Sequence, residues 1–449
     1  MADTLLSMGL DVGTSTTQMV ISRLTIENRA SGFSVPEMEI AKREIVYKSP
    51  VHFTPLLGAS LVDGDQIRTL VEQEYAAAGI RREQIDTGAV IITGESSRKE
   101  NARTVLEALS QSSGDFVVAT AGPHLESVLA AKGAGADRYS EETGRTVLHI
   151  DIGGGTSNLA LIRNGQVVGT GCMNVGGRLL KFDETGRVLY RSPVLAGMEE
   201  MGVGQQPSIH QIAALCQNMV QALEMAAGLR PVGELLQKFW TEEAGNQWLP
   251  PEDATVNSYS GGVAECIHES FPALKFGDIG PVLGQAIRQS SLCAKEFRLS
   301  QDAIRATVIG AGCHSAQLSG STVFYRGVDF PMKNLPVVCD LSQLSQEDGP
   351  AVLALPAVDA PHYHQIVALA DQIAEKWPST PVLIALEADM AKALGHALAL
   401  RLPPDQGILC IDRVKLPEGS FLDVGQPVTS ALPVVVKTLI LSNEMGGCI

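Results

Sequence analysis

Apolar and polar positions alternate between two periods along almost the whole chain, which predicts an α/β protein. Residues 5–12 (LLSMGLDV) read as a buried strand, 18–24 as a second and 38–47 as a third, followed by a helix near 64–78. Strands are predicted at 85–93 and 115–120, and helices at 97–110 and 122–132. Then come a strand at 146–151 and a pair, 157–163 and 166–170, whose Asn164-Gly165 link is a strong hairpin signal. Ile209, Ile212, Cys216, Met219, Leu223 and Ala226 fall on one face of an amphipathic helix, the stripe of a core helix. The last third alternates again, with strands at 351–355, 382–387, 407–411 and 434–441 and helices at 364–377 and 390–402.

One pattern repeats. Gly9-Leu10-Asp11-Val12-Gly13-Thr14-Ser15-Thr16 aligns with His149-Ile150-Asp151-Ile152-Gly153-Gly154-Gly155-Thr156, 140 residues further on. Both read apolar-Asp-apolar-Gly-x-x-Thr between two strands. Such a distance points to a duplicated lobe, since solenoid periods are about 20–50 residues. A Gly- and hydroxyl-rich turn converges backbone N–H groups into a nest that holds phosphate oxygens. The Asp at each strand end would repel phosphate unless Mg²⁺ lies between them. A single copy is an ordinary Asp/Gly turn; two with matching flanks suggest a polyphosphate clamp.

Composition narrows the partners. Hydrophobic residues make up 45% and charged residues 19% of 449, a globular mix spread over about three domains or two large ones. Lys and Arg number 34 against 50 Asp and Glu, a net charge of −16 that argues against nucleic acid and anionic membrane as partners. No window reaches 18 uninterrupted apolar residues, and Met1-Ala2-Asp3-Thr4 lacks a basic n-region, so neither a membrane span nor an ordinary signal peptide is expected. Eight scattered cysteines without a CxxC predict small apolar residues rather than disulfides or zinc. His362-Tyr363-His364 reads as a solvated loop. Neither GxxxxGK[ST] nor GxSxG occurs, and no GxGxxG opens a helix after a strand.

The paired motifs resemble the phosphate-1 and phosphate-2 loops of the actin, Hsp70 and sugar-kinase ATPase superfamily. The resemblance implies a two-lobed actin-like fold of duplicated ribonuclease H-like lobes, binding ATP or ADP with Mg²⁺. It implies that Asp11 and Asp151 hold Mg²⁺ through water, with Asp151 nearer the γ-phosphate. Gly13, Thr14, Ser15 and Thr16, with Gly153, Gly154, Gly155 and Thr156, would cradle phosphates. The superfamily's connecting helix matches Glu126–Gly135, so Glu126 would position or activate the attacking water. Its adenosine motif matches Val256–Glu265, so Gly261 and Gly262 would floor the nucleoside site. A rival loop, Thr307–Ser315 with Gly310 and Gly312, is Gly-rich after a predicted strand. Motif order divides the chain into a first lobe (1–145), a second lobe (146–295) and an accessory α/β region (296–449). The accessory region is expected to contact the second lobe or a protein partner. Ser96, Ser97 and Arg98 either face the cleft or begin a solvated helix.

The whole chain is similar to the ethanolamine ammonia-lyase reactivating factors of bacterial ethanolamine utilisation. MGLDVGTSTTQMVISRL, VATAGPHLESVLAAKGAGA, HIDIGGGTSNLAL, YSGGVAE, FGDIGPVLGQAI and LPVVVKTLILSNEMGG carry the likeness. It implies a chaperone-like ATPase that lets damaged cobalamin leave the lyase so that free adenosylcobalamin replaces it. Its setting would be the cytoplasm and the ethanolamine microcompartment. No Asp-x-His-x-x-Gly pattern occurs, so tight cobalamin binding by this chain is not expected. A small-metabolite kinase of the same fold is the alternative, although no substrate-activating Asp can be singled out.

Overall fold

The computed structural model describes residues 3–13, 16–28, 38–57, 61–93, 117–120, 123–241, 248–314, 316–319, 322–344, 349–357, 362–377, 381–416, 420–427 and 432–438. Strands β1 (Asp3–Val12), β2 (Thr16–Asn28), β3 (Met38–Lys48), β4 (Thr87–Ile92) and β5 (Val117–Thr120) form a first sheet in the order β3-β2-β1-β4-β5. Strands β6 (Val147–Ile152), β7 (Ser157–Arg163), β8 (Gln166–Met173), β9 (Val256–Ser260) and β10 (Phe297–Leu299) form a second, in the order β8-β7-β6-β9-β10. Each sheet pairs its first three strands antiparallel and its last two parallel. The two lobes therefore share one topology, as the 140-residue repeat predicts.

Local chemistry explains the elements. β6 is buried along its whole length, in keeping with its apolar run between two neighbours. Asn164 and Gly165 take φ of 48° and 77°, the backbone that a tight hairpin between β7 and β8 requires. Helix α1 (Gly64–Ala78) is capped by Asp63, which accepts from the Gln66 N–H. The predicted helix at 97–110, and with it Ser96, Ser97 and Arg98, lies outside the described residues.

Helices α2 (Pro123–Gly133) and α3 (Ala136–Thr143) follow the first sheet, and α2 packs against β6, β7 and β8 of the second. In the second lobe, α6 (Gly280–Arg288) packs on both α4 (Ile209–Ala226) and α5 (Gly262–His268), and the three helices close its largest core. Cys216, Met219, Leu223 and Ala226 are buried as the stripe predicts, but Ile209 is 48% exposed because it starts the helix, ahead of the packed face.

The glycines of Thr307–Ser315 do not lie in a loop after a strand. Ala306–His314 forms helix α7, which packs on α2, β1, β2 and β4. Two elements of the 296–449 segment thus join the lobes: β10 pairs with β9 and α7 returns to the first sheet. The rest forms an eight-stranded sheet. Its strands are β11 (Ala316–Leu318), β12 (Phe324–Arg326), β13 (Met332–Val338), β14 (Val352–Leu355), β15 (Val382–Leu386), β16 (Ile408–Ile411), β17 (Ser420–Val424) and β18 (Pro433–Thr438), in the order β11-β18-β17-β13-β14-β15-β16-β12. Helices α8 (Tyr363–Lys376) and α9 (Ala391–Ala399) cover one face. This sheet lies beside the first lobe, β18 against β5 and β11 against β3, while the contact of the 296–449 segment with the second lobe runs through β10. No helix of the described residues is long and apolar enough to cross a membrane. No two of the seven described cysteines form a disulfide, and six are buried.

Candidate functional site

The two repeated turns are closed by the same backbone bond. Gly13 donates its N–H to the Thr16 carbonyl at 2.9 Å, and Gly153 donates to the Thr156 carbonyl at 2.9 Å. Both turns open into one cleft between the lobes, enclosing about 270 Å³ and lined by Asp11, Gly13, Thr16, Asp151, Gly153, Gly154, Gly155 and Thr156. Thr14 and Ser15 lie outside the described residues. Glu126, from α2, and Gly261 and Gly262, where β9 ends and α5 begins, line the same cleft.

Gly261 has a reason to be glycine: its φ is 86°, and an added Cβ would lie 2.3 Å from the Ile152 carbonyl oxygen. Gly262 has open space where a side chain would be. Gly310 and Gly312 do not reach the cleft: Gly310 faces the Leu129 carbonyl of α2 and Gly312 faces Gly9 of β1.

Burial governs the carboxylates. Asp11 accepts a hydrogen bond from Thr93 Oγ1 at 2.8 Å, yet desolvation, with Glu126 and Asp151 facing it, pushes its pKa up to about 7. Desolvation likewise raises Asp151 to about 6, opposed by the Ser260 hydroxyl that donates to Oδ1. Behind Ser260 stands His149, with Nε2 2.9 Å from Ser260 Oγ and Nδ1 3.1 Å from Ser258 Oγ. Burial pushes His149 down to about 3, so the ring is neutral. Because Ser260 spends its proton on Asp151, the ring proton sits on Nε2, and the chain of donors aims at the carboxylate.

The cleft suits a hydrated cation. Among the described residues no three His, Cys, Asp or Glu side chains converge closely enough to ligate a metal directly. Two buried carboxylates whose ionisation is held back by burial fit a cation that takes its other ligands from water and phosphate. The sign of the pH effect follows. Asp11 and Asp151 keep protons in the folded chain between about pH 4 and about pH 7 that the unfolded chain has released. Stability of the metal-free protein should therefore fall as pH rises through that window. Added Mg²⁺ should raise the melting temperature more at about pH 8 than at about pH 5. An equal Mg²⁺ response at both values would separate the cation from these carboxylates.

Sequence reasoning did not single out several lining residues. Asn158 Nδ2 donates to Glu126 Oε2 at 2.7 Å and holds that carboxylate in the cleft. Gln18 Nε2 donates to the Ile304 carbonyl at 3.1 Å, while its buried Oε1 has no partner among the described residues. Arg178 is the only lysine or arginine among the described residues that line the cleft. Its side chain runs beside Gly154, its Nε donates to Asp278 Oδ2 at 3.2 Å, and its guanidinium stands 5.9 Å from the Phe53 ring of the first lobe. The backbone ties 177–178 to the turn, with the Gly177 N–H on the Gly153 carbonyl at 3.0 Å and the Arg178 N–H on the Gly154 carbonyl at 2.6 Å. Gly176-Gly177-Arg178, separated from the end of β8 by two residues, was the available signal.

Two lobes of one topology, each directing a Gly-rich hairpin and a strand-end Asp into a shared cleft, define the actin-like ATPase fold. The chain belongs to the family described as "Ethanolamine utilisation protein EutA", which matches residues 3–349 and 338–442. It is 41% identical to the ethanolamine ammonia-lyase reactivase EutA of Escherichia coli strain K12, over 97% of this chain and 98% of that one. Against the Salmonella typhimurium protein of the same name, strain LT2, the values are again 41%, 97% and 98%. Among solved structures it is similar to the ethanolamine utilization protein EutJ of Carboxydothermus hydrogenoformans, with a TM-score of 0.36, 15% identity, and 69% and 89% of the two chains covered. For MreB 5 of Spiroplasma citri bound to AMPPNP the TM-score is 0.35 and the identity 15%, over 69% and 95%. The strand orders of the two sheets, not these distant likenesses, define the fold.

Proposed function

We propose that the cleft binds ATP with Mg²⁺ and hydrolyses it, and that this chain uses the nucleotide cycle to reactivate ethanolamine ammonia-lyase by letting damaged cobalamin exchange for free adenosylcobalamin. The observation that carries the nucleotide reading is the pair of matching hairpins, each with an Asp, facing one cleft. The two curated relatives, reactivases by name and matched over nearly their whole length, support the partner.

Asp11 and Asp151 would hold the cation through water, and the turns at 13–16 and 153–156 would take the phosphates. Gly261 and Gly262 would lie under the nucleoside. When bound, Mg²⁺ would neutralise charge on the phosphates. Glu126, held by Asn158, orients a water whose oxygen attacks the γ-phosphorus as the bond to the β-phosphate oxygen breaks, and its carboxylate takes the water's proton. Arg178 adds a positive charge on the second hairpin's side. Arg178→Gln should weaken ATP binding about tenfold, read by calorimetry, since a charged hydrogen bond to phosphate contributes roughly 1.5–3 kcal/mol. Unchanged affinity would leave Arg178 as a tie to Asp278 alone.

Nucleotide acts on a partner only through differential affinity for two shapes of this chain, and two lobes hinged about a shared cleft provide them. Cobalamin stays with the lyase until displaced, in the cytoplasm and the ethanolamine microcompartment. The test is recovery of cyanocobalamin-inactivated lyase given this protein, free adenosylcobalamin, Mg²⁺ and ATP. Recovery that requires ATP supports the reading. Failure to rescue by a sample that hydrolyses ATP would discard the partner, and transfer of the γ-phosphate to a small metabolite would make the chain a kinase.

A further inference from the structure

A second cavity, of about 310 Å³, lies at the other end of the strands that build the cleft: Val147 at the start of β6 lines it, whereas Asp151, about 13 Å along the strand, lines the cleft. Both lobes contribute, with Arg43 from β3 of the first sheet and Arg298 from β10 of the second, while Lys132 comes from the end of α2 and Arg138 from the start of α3. Four cations around one cavity stand out in a chain of net charge −16.

The carboxylates at the cavity, of which Asp302 lines it, each have a hydrogen-bond partner outside the four cationic side chains, although Asp137 feels the charge of Lys132 and Arg138 and Glu296 that of Arg298. Asp302 is held by Lys48 at 2.6 and 2.7 Å, and Glu296 is held by Arg145 and by Tyr139 Oη at 3.0 Å. Asp137 accepts from the Arg138 N–H at 2.8 Å, so it caps its own helix start. Among the described residues Lys132, Arg138 and Arg298 have no carboxylate within ion-pair distance. Arg298 is instead oriented by the Tyr139 ring, 4.0 Å beneath its guanidinium. Arg43 donates its Nε to the Cys313 carbonyl at 3.0 Å, which anchors it at the cavity wall.

We infer that this cavity is a second anion site, separate from the cleft, that takes a small molecule bearing phosphate groups. Guanidinium and ammonium groups lining one cavity suit a polyvalent phosphate more than a single carboxylate. A ligand that touches Arg43 and Arg298 together bridges the lobes, so it favours the lobe separation at which both reach it.

The test is calorimetric titration of pyrophosphate, without Mg²⁺, into the full chain, the Lys132→Met/Arg298→Gln variant, the exposed single variant Arg138→Gln, and Arg178→Gln as a cleft control. The double variant should lose about a hundredfold in affinity for pyrophosphate and Arg138→Gln about tenfold, while the double variant keeps the wild-type affinity for ATP with Mg²⁺ in the cleft. Melting curves that match wild type would show that the variants fold. A loss confined to Arg178→Gln, or no loss in the double variant, would overturn the site by putting the anion in the cleft. Equal affinity for citrate would overturn the phosphate class.

Discussion

Asp151→Asn should lower ATP hydrolysis at least about a hundredfold while the protein melts no earlier than wild type. Asn keeps the shape and can still accept from Ser260, but it removes the charge that would hold the cation. Folding should not suffer, because the carboxylate is desolvated and its pKa is already raised to about 6. Replacing it with a neutral amide removes the cost of burying that charge near Asp11. Phosphate release and thermal melting measure the two halves. The same variant should fail to rescue the inactivated lyase. Undiminished turnover would move the site away from the second hairpin, and a large drop in melting temperature would make Asp151 structural.

Gly310→Val should destabilise the fold by about 3 kcal/mol or more, by overpacking where α7 crosses α2. A Cβ at Gly310 would lie 2.0 Å from the Leu129 carbonyl oxygen, and one at Gly133 would lie 1.8 Å from that of Ala306. Each helix meets the other's backbone through a glycine, so relief requires the helices to separate. Gly79→Ala is the comparison. Gly79 ends α1 at φ 65° with nothing within 4 Å, so only backbone strain of about 1 kcal/mol is added. If Gly310→Val melts no lower than Gly79→Ala, the crossing is looser than its geometry indicates. Because α7 and α2 both join the lobes, the variant should also alter nucleotide affinity, which calorimetry would read.

Much of this architecture is legible in the chain because it is set by near neighbours. Alternation and 3.6-residue periodicity mark β1 and α1; Asn164-Gly165 marks its hairpin through the positive φ it tolerates. The two Asp-x-Gly-x-x-Thr turns could be paired because equal local chemistry yields equal turns, each closed by the same Gly N–H to Thr carbonyl bond. Gly310 and Gly312 show where local reading fails. Glycines after an apolar run look like a loop by propensity, but here small residues let a helix lie close on β1 and α2, and packing overrides propensity. For Arg178, Asn158, Thr93 and Ser260 likewise, no neighbouring residue tells which group each one meets. Asn158 reaches Glu126 from 32 residues away, and Ser260 reaches Asp151 from 109. The sequence by itself determined the elements, the duplicated turn and the carboxylates at its strand ends, since these depend on contacts a few residues long. Only the tertiary structure decided which polar groups meet those carboxylates and how far burial shifts them, because desolvation is a property of the closed cleft and not of any segment that lines it.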